Sequence, residues 1–328
     1  MAPPQMAQDA PALDVRSLSV EIHGRSVVTD VGFSVPRGGT TALVGESGCG
    51  KSITALALIN LLPQGARVTG GSLHLGGDDL TVLDAAHWER VRGRRIGMIF
   101  QDPANALDPL MPVGRQIAEA LRLRGLSGTR ALREAAREML SHVGIANADQ
   151  RLDQYPFELS GGMCQRVMIV IALAARAELL IADEPTTALD VTIQAQILAL
   201  MQSLQRETGT AILLITHDMG VVAETADTLA VMYAGTVVEW GRTADVLAAP
   251  AHPYTKALLR AIPTLQARRG ARLDVIDGVV PEPSDWPAGR RFAPRCPHVR
   301  SACRVAPPPM HRLGAVRGAA CIRVSELN

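Results

Sequence analysis

The segment Gly45-Glu46-Ser47-Gly48-Cys49-Gly50-Lys51-Ser52 carries the clearest chemistry in the chain. Its glycines let the backbone curl so that successive N–H groups face phosphate oxygens, at the positive end of a following helix. Lys51 would reach the β and γ phosphates, and the Ser52 hydroxyl would ligate Mg2+. Of 33 basic residues only Lys51 and Lys256 are lysine, so a compact ammonium at this point, where an Arg fork would not substitute, reads as a chemical choice. A pair of carboxylates, Asp183-Glu184, follows the apolar run Leu179–Ala182. That places both at the C-terminal end of a buried strand, the edge at which parallel sheets bind ligands. Asp183 is suited to hold Mg2+ through its water shell, and Glu184 to orient and deprotonate a water for attack on a γ-phosphate. Alone, an apolar strand ending in Asp-Glu before Pro185 reads equally well as a turn. Beside the phosphate loop it points to a nucleoside triphosphatase. A third motif, Leu159-Ser160-Gly161-Gly162-Met163, precedes Gln165-Arg166 and an apolar helix. A Ser cap and two glycines at a helix start leave N–H groups open, which makes a second anion site.

The elements that must position these groups follow from periodicity. Residues 13–35 alternate apolar and polar positions in two bouts broken at His23-Gly24, as a half-buried hairpin does. Thr41–Val44, the glycine loop and the helical stretch Ser52–Leu62 give strand, loop, helix. Ile96–Phe100 reads as a further buried strand. Helical periodicity runs from Val113 to Val143, with Ile117, Leu121, Leu132, Ala136 and Leu140 on the apolar side. Leu179–Ala182 and Ala211–Thr216, joined by the helical segment Thr192–Glu207, match a strand-helix-strand crossover in a parallel sheet. The fold class is therefore α/β, with an antiparallel β edge and a helical insert.

Taken in chain order, these motifs resemble the ATP-binding cassette (ABC) family through most of residues 13–248. Gln101 in Ile99-Phe-Gln-Asp-Pro, Ala188-Leu189-Asp190 and His217 in Leu214-Ile-Thr-His-Asp218 complete the set. The resemblance implies a P-loop NTPase fold of the ABC nucleotide-binding type and a head-to-tail ATPase dimer. ATP and Mg2+ would lie between the phosphate loop of one chain and Ser160-Gly161-Gly162 of the other. It implies Glu184 as general base, His217 at the γ-phosphate, Gln101 at Mg2+ or the attacking water, and Asp190 in a dimer-contact loop. Unlike the usual family pattern, no aromatic residue occupies the first hairpin to stack on adenine; Ile22 and His23 stand there.

Wording between the motifs narrows the resemblance. Thr186–Gln196, Met163–Ala172 and His252-Pro-Tyr-Thr-Lys-Ala-Leu-Leu look like the oligopeptide and dipeptide importers, with nickel importers as near relatives. That implies a transport ATPase partnered by a second ABC ATPase subunit, two membrane permeases and an external substrate-binding protein, at the cytoplasmic face of the cell membrane. The alternatives are an importer of nickel or another small solute, a non-transport ABC ATPase, and a stand-alone metabolic kinase, the last leaving Leu159–Met163 without purpose. Residues 249–328 form a C-terminal extension: residues 250–328 hold eleven of the 21 prolines. Cys296, Cys303 and Cys321 match three of four cysteines that hold a 4Fe-4S cluster in several relatives, and Arg290 stands where the first is expected. Three thiolates need a further ligand, such as His298, to hold a cluster or zinc; reduced thiols in a loop-rich appendage are the alternative.

Composition bounds these readings. The chain has 328 residues, 47% hydrophobic and 20% charged, with a formal charge of +1, so no global excess of charge points to nucleic acid. From Thr264 onward eleven Arg face five Asp or Glu, a local charge of +6. No uncharged apolar run approaches the roughly 18 residues a membrane span requires. Residues 1–12 read as a flexible leader, 13–248 as the ATPase domain, and about 105–160 as its helical subdomain.

Overall fold

The computed structural model describes residues 10–187, 189–262 and 275–327. Most of the expected leader and Ala188 of the dimer-contact motif lie outside the described residues. In chain order the strands are β1 (Leu13–Ile22), β2 (Arg25–Val35), β3 (Thr40–Val44), β4 (Ala66–Leu75), β5 (Asp78–Asp79), β6 (Ile96–Ile99), β7 (Leu179–Asp183), β8 (Ala211–Thr216), β9 (Thr228–Tyr233), β10 (Thr236–Arg242), β11 (His311–Gly314) and β12 (Arg317–Ala319). The described residues divide into two compact units, one drawn from 10–13, 35–39, 82–187 and 189–215, the other from 14–34, 40–81, 216–262 and 275–327.

In the first unit β6, β7 and β8 are parallel, with Ile99 opposite Ala182 and Asp183 opposite Ile215. Every residue of β7 and β8 is buried, as expected of parallel strands covered on both faces. Helix Val191–Thr208 supplies the expected crossover between them. The helical run expected over 113–143 is two helices, Val113–Leu123 and Thr129–His142. The break falls at Gly125 and Gly128, whose φ values of +92° and +90° are open to glycine and costly for other residues. Ile117, Leu121, Leu132, Ala136 and Leu140 are all buried, as the apolar period predicts, and the stripe is carried by two helices. Helix Gly161–Ala174 packs against Val113–Leu123.

The second unit holds a four-stranded sheet in the order β2-β1-β4-β5. Its first hairpin turns at His23 and Gly24, both with positive φ, the dihedral signature of a two-residue turn matched to strand twist. A further set of strands starts from β3, parallel to β9 with Val44 opposite Val231, and continues through antiparallel β10, β12 and β11. The extension beyond residue 249 thus adds a hairpin to this unit's own sheet. The helix after β3 is Lys51–Leu58, shorter than the expected Ser52–Leu62. The Leu61 N–H bonds to the Leu56 carbonyl and Asn60 takes a left-handed φ of +52°, an αL-type termination just ahead of Pro63. The core here joins Val44 and Val231 to Tyr233, Tyr254, Phe292 and Cys296.

Candidate functional site

The phosphate loop follows β3 directly and closes onto its helix. Gly45 lies so close to β9 that a Cβ there would meet the Met232 carbonyl oxygen at 2.2 Å and Cys49 Sγ at 2.8 Å. Only glycine permits that approach. Lys51 is buried, and its Nζ donates to the carbonyls of Gly45 at 2.8 Å and Glu46 at 3.0 Å. Those bonds hold the ammonium inside the curl of the loop. Burial pushes the Cys49 thiol up, which Lys51 partly offsets, so Cys49 is a neutral wall of the loop and not a nucleophile. Ser52, the second residue of the helix, is half-buried. In the same unit His217 is exposed between β8 and helix Met219–Thr225. Asp218 caps that helix by accepting from the Gly220 and Val221 N–H groups, which fixes the segment that presents His217.

In the first unit, Asp183 ends β7 and is only 3% exposed. Glu184 follows with φ +48°, a left-handed conformation costing a non-glycine residue about 1 kcal/mol or more. Two interactions keep it there: its N–H donates to the Ile215 carbonyl at 2.9 Å, and Thr187 Oγ1 donates to Glu184 Oε2 at 3.1 Å. The turn after β7 is thus held in a conformation that a non-glycine residue adopts only when its surroundings fix it. Gln101 is exposed two residues beyond the end of β6. Because β6 and β7 are parallel, Gln101, Asp183 and Glu184 share one edge of this unit's sheet. Within this unit, Gln101 and Asp183 can each offer an oxygen ligand, the donor type that suits Mg2+ chemically.

Ser160 caps helix Gly161–Ala174, its Oγ accepting from the Met163 N–H at 3.4 Å. Ser160 and Gly161 are exposed, and no atom lies within 4 Å of where a Gly161 Cβ would stand, so the helix start is open to a ligand. Asp190 caps helix Val191–Thr208 through the Ile193 N–H. One coupling residue was missed at the level of sequence: buried Gln165 donates from Nε2 to the Pro185 carbonyl at 2.6 Å. It ties the Ser160 helix to the turn that carries Glu184. Its position three residues beyond the Ser-Gly-Gly motif was visible, but its partner was not.

The cysteine-bearing tail does not fit a metal cluster. Cys296, Cys303 and Cys321 are buried free thiols, and no group of three or more His, Cys, Asp or Glu among the described residues could hold a metal ion. Arg290 stands among them, 4% exposed, with Nη1 3.5 Å from Cys321 Sγ and 3.8 Å from Cys296 Sγ, and Nη2 2.9 Å from His252 Nε2. A guanidinium in the middle of the thiols occupies the space a cluster would need and repels metal cations. His298, the suggested fourth ligand, is exposed, and its carbonyl accepts from Arg323. His252 is fully buried, and burial together with Arg290 holds its pKa well below the ordinary imidazole value. The imidazole is therefore neutral, and its one acceptor nitrogen, Nδ1, takes the Tyr254 N–H at 3.1 Å.

Comparison with known proteins matches this arrangement. Residues 28–187 fit the family model for the ABC transporter, and residues 238–303 that for the oligopeptide/dipeptide transporter C-terminal region. The chain is 48% identical over 320 residues to the probable peptide ABC transporter ATP-binding protein y4tR of Sinorhizobium fredii, covering 96% of each. Among solved structures it resembles the dimeric, ADP- and Pi-bound ATP-binding cassette MJ0796, with TM-score 0.64 and 25% identity over 70% of this chain and 98% of that one. It also resembles cbiO1 of Clostridium perfringens, part of the ABC transporter complex cbiONQ, with TM-score 0.61 and 26% identity over 74% and 92%. The phosphate loop, the Asp-Glu strand end, the open Ser-Gly-Gly helix start and the C-terminal region all occur in one chain, and the chain belongs to the ABC transporter ATP-binding family, in the branch that carries the oligopeptide/dipeptide transporter C-terminal region.

Proposed function

We propose that the chain is the ATP-hydrolysing subunit of a peptide importer, with each site residue acting as follows. The N–H groups of residues 45–52 and the Lys51 ammonium receive the β and γ phosphates. Ser52, Asp183 and Gln101 hold Mg2+, which supplies charge neutralisation on the phosphates when bound. Glu184 accepts a proton from a water whose oxygen attacks the γ-phosphorus; the bond to the β,γ-bridging oxygen breaks, and ADP leaves with inorganic phosphate. His217 faces the γ-phosphate. Ser160, Gly161 and Gly162 of a second ABC subunit complete the site, their open N–H groups meeting the phosphates across a head-to-tail dimer in which Asp190 lies at the contact. Residues 13–248 act as the ATPase domain, with the helices within about 105–160 receiving the membrane permeases, and 249–328 as the importer-type extension.

A single observation carries the importer reading: a region typical of oligopeptide/dipeptide transporters, residues 238–303, follows the ABC segment 28–187 in the same chain. No helix of the described residues is long and apolar enough to cross a membrane, and the permeases supply that part. Association at the cytoplasmic face and cargo delivery by an external binding protein follow from this reading. Glu184→Gln tests it. In the assembled importer this variant should lower ATP turnover by about 100-fold or more and accumulate ATP-bound dimers. Normal turnover would remove Glu184 from its role. Peptide uptake should vanish with turnover, and nickel uptake in its place would reassign the cargo.

A further inference from the structure

The second residue of the phosphate loop is held from behind by the C-terminal extension. The Glu46 N–H donates to the Tyr254 hydroxyl at 2.9 Å. The Glu46 carboxylate receives both arms of Arg295, Nη1 to Oε1 at 3.0 Å and Nη2 to Oε2 at 2.9 Å, while the Glu46 carbonyl receives Lys51. Every polar group of this residue is therefore engaged, two of the three by residues more than 200 positions away. The Arg295 side chain is 6% exposed and locked by the carbonyls of Ile276, Asp277 and Gly278. Its orientation is thus fixed before it meets Glu46. Tyr254 is fully buried against Tyr233 and Phe292, with ring centroids 4.6 Å and 5.3 Å away, and burial pushes its hydroxyl pKa up, so it stays protonated.

A second tether reaches the far side of the loop. Arg291 donates to the Ala234 carbonyl and, at 2.9 Å, to Thr29 Oγ1, with its guanidinium stacked 3.5 Å from the centroid of Trp286. The next residue of that turn, Gly235, donates its N–H to the Cys49 carbonyl at 2.8 Å. The extension thus grips the loop directly at its second residue and, through the Ala234–Gly235 turn, at its fifth.

We propose that Arg295 and Tyr254 are positioning residues for nucleotide binding, so that the C-terminal extension sets the affinity of the phosphate loop for ATP. This inference rests on the ATPase reading above. Glu46 places a negative charge in a loop whose ligand is a polyanion, and unpaired it opposes binding. A bidentate guanidinium neutralises it and fixes the loop's first turn. Displacement of the extension by a partner would release the carboxylate toward the phosphates and lower affinity at a distance, which gives the appendage a means to control the motor.

The test is a cycle of variants in the full chain, reading equilibrium binding of Mg-ATP alone and, in the assembled importer, KM against kcat. Arg295→Ala should weaken ATP binding and raise KM about tenfold, with kcat within about threefold of wild type. Glu46→Gln in that background should restore affinity to within about threefold of wild type, because the charge that opposed the ligand is gone. Tyr254→Phe, which removes one hydroxyl and keeps the packing, should weaken binding about threefold and answers the question should Arg295→Ala fail to fold. Wild-type affinity in both Arg295→Ala and Tyr254→Phe, or an Arg295→Ala defect undiminished by Glu46→Gln, would overturn the proposal. If wild type binds ATP but does not hydrolyse it, the ATPase reading fails while the binding cycle still tests the clamp.

Discussion

Gly45 gives the phosphate-site geometry its sharpest test. An alanine Cβ there would lie 2.2 Å from the Met232 carbonyl oxygen and 2.8 Å from Cys49 Sγ, whereas ordinary contacts need about 3.4 Å. Met232 cannot retreat, because β9 pairs with β3 on one side and β10 on the other, Met232 itself lying opposite Val237. The loop must therefore move by about 1 Å, carrying with it the carbonyl that orients Lys51. Overpacking of this kind costs about 1–3 kcal/mol, and a 1 Å displacement of a binding group costs about 100-fold in function. Gly48→Ala is the matched control. Gly48 has φ +79° with no atom within 4 Å of a Cβ, so its penalty is a local dihedral cost of about 1–2 kcal/mol with no displaced neighbour. Equilibrium titration with Mg-ATP should show Gly45→Ala weakened about 100-fold and Gly48→Ala about tenfold, with both variants folded by circular dichroism. Equal losses, or near wild-type binding in Gly45→Ala, would refute the argument that close approach to β9 selects glycine.

Two other expectations concern the tail. His252 is held neutral when folded, with its pKa well below the 6.5 of an exposed imidazole. The unfolded chain therefore binds a proton that the folded chain does not, and stability falls as pH drops below about 6.5. Going from pH 7.5 to 5.5 should remove about 1.4 kcal/mol through this residue. His252→Asn keeps an acceptor for the Tyr254 N–H that His252 Nδ1 now caps, so urea unfolding of this variant should show a shallower acid slope than wild type; an unchanged slope would exclude His252. The thiols around Arg290 should carry no stoichiometric iron in chain purified anaerobically from iron-replete cells. An iron content matching a full cluster would contradict the guanidinium-centred arrangement.

Local chemistry was readable from the sequence wherever function depends on residues close together. The glycine loop between strand and helix, the carboxylates closing a buried strand and the Ser cap each state their geometry within a few positions. The crossover helix over 191–208 was legible because its apolar period spans many turns. The helical character of the insert was legible in its periodicity, while its division into two helices at Gly125 and Gly128 shows only in the dihedrals. Long-range pairing stayed out of reach: nothing near Glu46 names Arg295, 249 residues away. Arg290 looked like a missing ligand when judged by its own position, and its role emerges only where His252, Cys296 and Cys321 converge on it. The tail hairpin of β11 and β12 was likewise hidden, since its strands are short and largely polar, and pairing with β10 rather than an apolar pattern defines them.

Arg290 also changes what the tail demands of the cell. A domain organised around an inorganic cluster must wait for iron and sulphide to be delivered, and it loses its centre when oxidants attack. A tail organised around a guanidinium is complete when translation ends. Its maturation requires no assembly machinery, and its integrity is indifferent to iron starvation. The tail of such a transporter places no demand on the supply of iron.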